Sequence, residues 1–252
     1  MAVKYEIEGG VAVITLDRPE ARNAVDGNTA LAVERSIRDM EADESVRACV
    51  ITGAGGNFCA GMDLRAFLRG EIVRLPGTGF AGVTQAKLTK PLVAAVEGYA
   101  LAGGMEIALA CDLLIAADGA KFGLPEVKRG LVANAGGLVR LPRQLPPKIA
   151  CEFVLTGDIY GAEILAQHGL INRIVPNGQA LAAALEMAHK IAANGPLAVA
   201  VSKQVMMESV DWPSTELFDR QNAITAAVFA SEDAQEGARA FTEKRTPVWR
   251  GR

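Results

Sequence analysis

The chain has 252 residues, 50% of them hydrophobic and 22% charged, which is enough apolar material to bury a sizeable core in one large domain or two small ones. Its net charge of -3, with lysine and arginine scattered along the chain, excludes the basic stripe of a nucleic-acid binder. The opening residues MAVKYEIEGG lack a charged segment followed by an apolar run, and four widely spaced cysteines form no C-x-x-C pair; a cytoplasmic protein with reduced, buried thiols is expected.

The first elements are legible from period and punctuation. VKYEIE and VAVITL alternate around Gly9-Gly10 and predict a hairpin that ends at Arg18-Pro19. NTALAVERSIRDMEAD places Ala30, Val33, Ile37 and Met40 at helical spacing. VRACVITG and PLVAAVEG read as short strands, each followed by a glycine-rich turn and a helix start, and this rhythm predicts an α/β amino-terminal half. DLLIAADGAKFGLPEV adds two extended runs. From about Gly136 onward the pattern is helical, interrupted by LPP, by a strand at LINRIV and by Pro196 and Pro213.

The segment from Pro91 to Ala120 is long and apolar, yet it contains Glu97, Glu106 and Asp112. Each acid would be penalised in a bilayer, so a membrane span is excluded and the carboxylates need another explanation. The two histidines, His168 and His189, both fall in helical contexts and give a Ser-His-Asp centre or a metal site little to build from. The turn Gly53-Ala54-Gly55-Gly56 lacks the dinucleotide-binding spacing.

Carboxylates and backbone remain as candidate chemistry. Gly103-Gly104 are expected just before a helix at MEIALA, and Gly61-Met62 stand before Asp63, a good cap for the helix LRAFLRG. N–H groups from two such turns can form an oxyanion hole. Glu106, in the first turn of its helix, either belongs to that site or merely complements the helix dipole. Glu126 follows a proline turn and is either a second reactive acid or a solvated loop residue. Asn134 either meets a polar ligand or caps a helix; the cap is the expectation.

Together LDRPEARNA, ITGAGGNFCAGMDL, PLVAAVEGYALAGGMEIALACDLLIAA, FGLPEVKRGL with GGLVRLPR, and AFTEKRTPVW resemble the crotonase (enoyl-CoA hydratase/isomerase) superfamily from end to end. Ala133-Asn134, Leu138-Val139 and the ending EKRTPVWRGR are closest to its carnitinyl-CoA dehydratase (crotonobetainyl-CoA hydratase) branch. The resemblance implies an α/β spiral of ββα units over residues 1–195, with a helical oligomerisation region at 196–252 that assembles a homotrimer or a dimer of trimers.

The resemblance also implies an acyl-CoA substrate. The N–H groups of Met62 and Gly103 would hold its thioester oxygen, and Glu106 and Glu126 would be the catalytic acids. Arg22, Ala24, Ala60, Asp63, Leu64 and Arg65 would line the CoA channel, and Phe241 and Lys244 would approach the nucleotide end, often from a neighbouring subunit. No metal or other cofactor is implied, because coenzyme A arrives with the substrate. The implied reaction is hydration of a 2-enoyl-CoA. The alternatives are a carnitinyl-CoA dehydratase-like reaction, double-bond isomerisation, or a non-enzymatic protein that binds CoA esters or RNA.

Overall fold

The computed structural model describes residues 2–252. Its strands are β1 (Val3–Glu8), β2 (Val11–Leu16), β3 (Ala48–Gly53), β4 (Arg74–Leu75), β5 (Gly79–Phe80), β6 (Leu92–Val96), β7 (Tyr99–Leu101), β8 (Leu113–Ala117), β9 (Lys121–Gly123), β10 (Ile159–Gly161) and β11 (Arg173–Val175). Its α-helices are α1 (Gly27–Ala42), α2 (Leu64–Leu68), α3 (Gly103–Ala110), α4 (Gly137–Gln144), α5 (Pro147–Thr156), α6 (Ala162–Gln167), α7 (Ala180–Ala192), α8 (Pro196–Glu208), α9 (Leu217–Phe229) and α10 (Glu232–Glu243).

The predicted hairpin is present, with Val3 opposite Leu16, and it starts a six-stranded sheet of order β1-β2-β3-β6-β8-β11. Every pair beyond β1-β2 is parallel. Parallel strands buried on both faces read as continuous apolar runs, as LVAAV in β6 does. A second sheet, β10-β9-β7, is extended by a bridge between Cys59 and Ala100. Successive turns of the chain therefore send one strand to the large sheet and the next extended piece to the small one, and then enter a helix. This is the expected spiral of ββα units.

One face of the large sheet is covered by α7 through Ala180, Ala184, Ala188 and Ala192, a stripe of small residues that lets the helix lie close against Val50, Val93 and Ile115. The other face carries the main core, which includes Ile14, Leu16, Phe58, Leu92, Met105 and Phe122. Two of the three acids in the apolar run are tied into this frame. The Glu97 carboxylate accepts the Ala180 N–H at the start of α7, 3.0 Å away. Asp112 accepts the Leu92 N–H and pairs with Lys203 Nζ, both at 2.7 Å. Glu106 has a different seat.

Candidate active site

The first oxyanion turn is assembled by a short parallel zipper. Val25 N–H donates to the Gly61 carbonyl at 2.8 Å, Asp63 N–H to Val25 at 2.9 Å, and Ala60 N–H to Arg22 at 3.0 Å. Asn23 locks the other side of the loop: its side chain accepts the Arg18 N–H and donates to the carbonyls of Ala54 and Asn57. Arg18 in turn contacts the Ala24 carbonyl, Asp26 and Asp63. Asp63 caps α2 as expected, accepting the N–H groups of Arg65 and Ala66. Burial works against its ionisation, but these N–H bonds and Arg18 outweigh it and hold the carboxyl below the usual range.

The second turn ends β7. Helix α3 begins at Gly103 itself, so Gly103-Gly104 form its first turn where they were expected to precede it. The residue before them, Ala102, has φ 51°, a region sparsely populated by residues with a Cβ. Such strain costs about 1–3 kcal/mol and persists only where the surroundings enforce it. Here the Ala102 N–H donates to Gly123 and its carbonyl accepts the Glu106 N–H.

The two turns are pressed together. Gly61 has φ 97°, and a Cβ on it would sit 2.8 Å from Ala102 Cβ and 3.1 Å from the Gly103 nitrogen. A Cβ on Gly103 would overlap the Phe80 ring. Among the described residues, neither the Met62 nor the Gly103 N–H has an acceptor, and Met62 and Gly103 line one cavity of about 600 Å³. Two unengaged donors beside the start of a helix can stabilise a developing negative charge.

Glu106 and Glu126 line the same cavity in different ways. Glu106 is 3% exposed, and its Oε1 accepts the N–H groups of Ala135 at 2.7 Å and Gly137 at 2.9 Å. Its carboxylate is therefore oriented by a turn 29 and 31 residues further along the chain, which is more than a dipole partner requires. Burial pushes the Glu106 carboxyl up, opposed by those two N–H groups and by the fields of Arg74 and Arg140.

Glu126 lies in a 3-10 turn, Pro125–Arg129, and is half-buried where a solvated loop acid was the alternative. Among the described residues its Oε2, which is buried, has no hydrogen-bond partner. Burial drives its carboxyl up to about 7, and the neighbouring charge of Glu106 adds to the rise. A carboxyl in that position can donate a proton near neutral pH.

The remaining expected positions divide. Ala60 and Leu64 line the cavity with Met62. Arg22 and Ala24 lie on the loop zipped to it, and the Arg22 guanidinium stands 5.5 Å over the Tyr99 ring. Asp63 is committed to capping α2, and Arg65 is exposed on that helix. Phe241 and Lys244 are exposed at the end of α10 and do not line this cavity. Asn134 does not cap α4: the cap is Gly136, without a side-chain bond, and Asn134 Oδ1 accepts Arg74 Nη2 at 2.6 Å. The sequence reading missed Arg74, Phe80, Asn23 and the Ala135-Gly136-Gly137 turn. The glycine pair at 136 and 137 was the one visible sign of that turn.

Among the described residues no group of three or more His, Cys, Asp or Glu is arranged to hold a metal ion, and no helix is long and apolar enough to cross a membrane. Residues 6–252 match the family described as Enoyl-CoA hydratase/isomerase. The chain is 42% identical to enoyl-CoA hydratase EchA19 of Mycobacterium tuberculosis over 98% of its own length and 96% of that protein. It is 43% identical to carnitinyl-CoA dehydratase of Escherichia coli K12, covering 97% of this chain and 96% of the other. A crystal structure of an enoyl-CoA hydratase from Mycobacterium tuberculosis superposes with a TM-score of 0.98 at 49% identity, covering 100% of this chain and 99% of that one.

Proposed function

The chain belongs to the enoyl-CoA hydratase/isomerase family, and from that premise we propose that it is a hydro-lyase that adds water reversibly across the 2,3 double bond of a 2-enoyl-CoA. One observation carries the catalytic assignment. A single apolar cavity holds two unengaged backbone N–H groups and two carboxyls, one oriented and one without a partner.

In this reading the thioester oxygen accepts from the N–H groups of Met62 and Gly103, which draws electron density from the conjugated double bond. Glu106, held through Oε1, takes a proton from water with its other oxygen while the water oxygen bonds to Cβ. The double-bond electrons move onto the thioester as an enolate under the two N–H groups. Glu126, protonated, then gives its proton to Cα, and the product is a 3-hydroxyacyl-CoA. Exchange with water restores both acids. The chemistry proposed needs no resident cofactor, since the thioester is itself the electrophile.

The proposed assembly is a homotrimer or a dimer of trimers built through residues 196–252. Among the described residues, helices α8 and α9 have no fully buried member and expose Met206, Met207, Phe218 and Phe229, which supports a role in association. Phe241 and Lys244 are proposed to reach the CoA nucleotide of a neighbouring subunit. A cytoplasmic place in fatty acid metabolism is proposed with them.

The test is loss of enone absorbance when the protein meets crotonyl-CoA. Hydration by wild type with turnover lost in Glu106→Gln supports the reading, and a folded protein that binds CoA esters without hydrating any would overturn it.

A further inference from the structure

The hydratase reading leaves open which acyl group the cavity takes, and its relatives carry two kinds of name, enoyl-CoA hydratase and carnitinyl-CoA dehydratase. Resting on that reading, we infer that the acyl end of the cavity takes an extended, uncharged hydrocarbon chain and rejects an acyl group with a fixed positive charge.

The first ground is the wall. Besides the two glutamates, the cavity lining includes Phe67, Ile72, Val73, Phe80, Leu131 and Val132. The apolar surface continues outward, with Phe67 49% exposed, Ile72 69% and Val132 58%. A longer acyl chain has more surface with which to cover this apolar lining than a four-carbon group has. Each methylene removed from water is worth about fourfold in affinity.

The second ground is the charge. Arg74 and Arg129 line the cavity, and in the proposed reaction a single ionised acid without a cationic partner, Glu106, stands against the two guanidiniums. Glu71 spends Oε2 on the Gly27 N–H and Oε1 on Arg69. Glu106 keeps its charge while two neutral N–H groups orient it, and Glu126 is the protonated acid of the proposed reaction, so positive charge is in excess on the lining. A quaternary ammonium makes no hydrogen bonds and is bound through carboxylates or aromatic faces. The aromatic lining consists of Phe67 and Phe80, and the Phe80 ring is packed against Gly103.

The third ground is the lock between Arg74 and Asn134. Arg74 Nη2 donates to both the carbonyl and Oδ1 of Asn134, at 2.7 and 2.6 Å. That engages the one side-chain amide in the lining and fixes the guanidinium at the cavity wall, where it repels a cationic acyl group.

The experiment compares kcat/KM for trans-2-decenoyl-CoA, crotonyl-CoA and crotonobetainyl-CoA, together with binding of their saturated counterparts by calorimetry. Decenoyl-CoA is expected to exceed crotonyl-CoA by at least about tenfold, and crotonobetainyl-CoA to fall below it by at least about tenfold. Charge reversal in Arg74→Glu should narrow the second gap, and Val132→Asp should narrow the first. Crotonobetainyl-CoA used as well as crotonyl-CoA, or a gap that Arg74→Glu leaves unchanged, would overturn the inference while leaving hydration standing. If no ester is hydrated, the hydratase reading fails separately: decanoyl-CoA binding more tightly than butyryl-CoA and butyrobetainyl-CoA then upholds the acyl selectivity, and equal binding of all three rejects it.

Discussion

Glu106 and Glu126 face one cavity from two kinds of seat. Glu106 grows from the first turn of a buried helix, and a distant turn grips one of its oxygens with two N–H groups. Glu126 hangs from a 3-10 turn with one buried oxygen that nothing grips. The difference teaches how one carboxylic acid type can serve two ends of one reaction. Burial raises both carboxyls, but at Glu106 the two N–H bonds oppose the rise and fix the direction of the charged form, whereas at Glu126 the charge of Glu106 adds to it.

The largest effect should come from removing the gripped acid's charge. Glu106→Gln keeps an oxygen for the Ala135 and Gly137 N–H groups, so the fold should stay intact while turnover falls by about 10²–10⁴. Calorimetry with a CoA ester should show binding little changed. Glu106→Ala would add a structural penalty of about 1–3 kcal/mol by orphaning two buried donors, read as a lower melting temperature than the Gln variant.

Next in size is the shared hole. Gly103→Ala pushes a Cβ into the Phe80 ring, and displacement of that N–H should cost about 10²–10³ in kcat. Stopped-flow absorbance on crotonyl-CoA reads it. A wild-type rate would show that both glutamates work without the hole.

Glu126→Gln sharpens the comparison through pH. With its carboxyl raised to about 7, the folded chain holds a proton there that the unfolded chain has already released above its ordinary range. The stabilisation by this group is therefore complete in acid and fades as pH rises through about 7. Melting temperatures should show Glu126→Gln gaining on wild type between about pH 5 and about pH 8. A constant offset would mean that the carboxyl titrates normally.

The smallest effect belongs to Ala102→Gly. Relief of the left-handed φ of 51° should change stability by no more than about 1 kcal/mol, because glycine also gives the unfolded chain more freedom. A loosened Gly103 N–H should nonetheless lower kcat, so the melting curve and the rate should part company.

Most local structure was legible in the residues. The hairpin at Gly9-Gly10, the helix under Ala30, Val33, Ile37 and Met40, the Asp63 cap and both acids stand where period and punctuation put them. What escaped depends on contacts between distant segments. The grip on Glu106 comes from Ala135 and Gly137, and the expected helix cap by Asn134 lost to Arg74, 60 residues earlier in the chain. Helical spacing in α8 and α9 likewise did not reveal that neither has a fully buried residue among those described.

The most direct test of the division of labour is kcat/KM for crotonyl-CoA hydration from about pH 5 to about pH 9, in wild type and Glu126→Gln. The account predicts that wild-type activity falls as pH rises through about 7 and that this limb vanishes in the variant along with most of the rate. Wild-type activity that rises through the same range, or a variant that keeps both the rate and the limb, would contradict it.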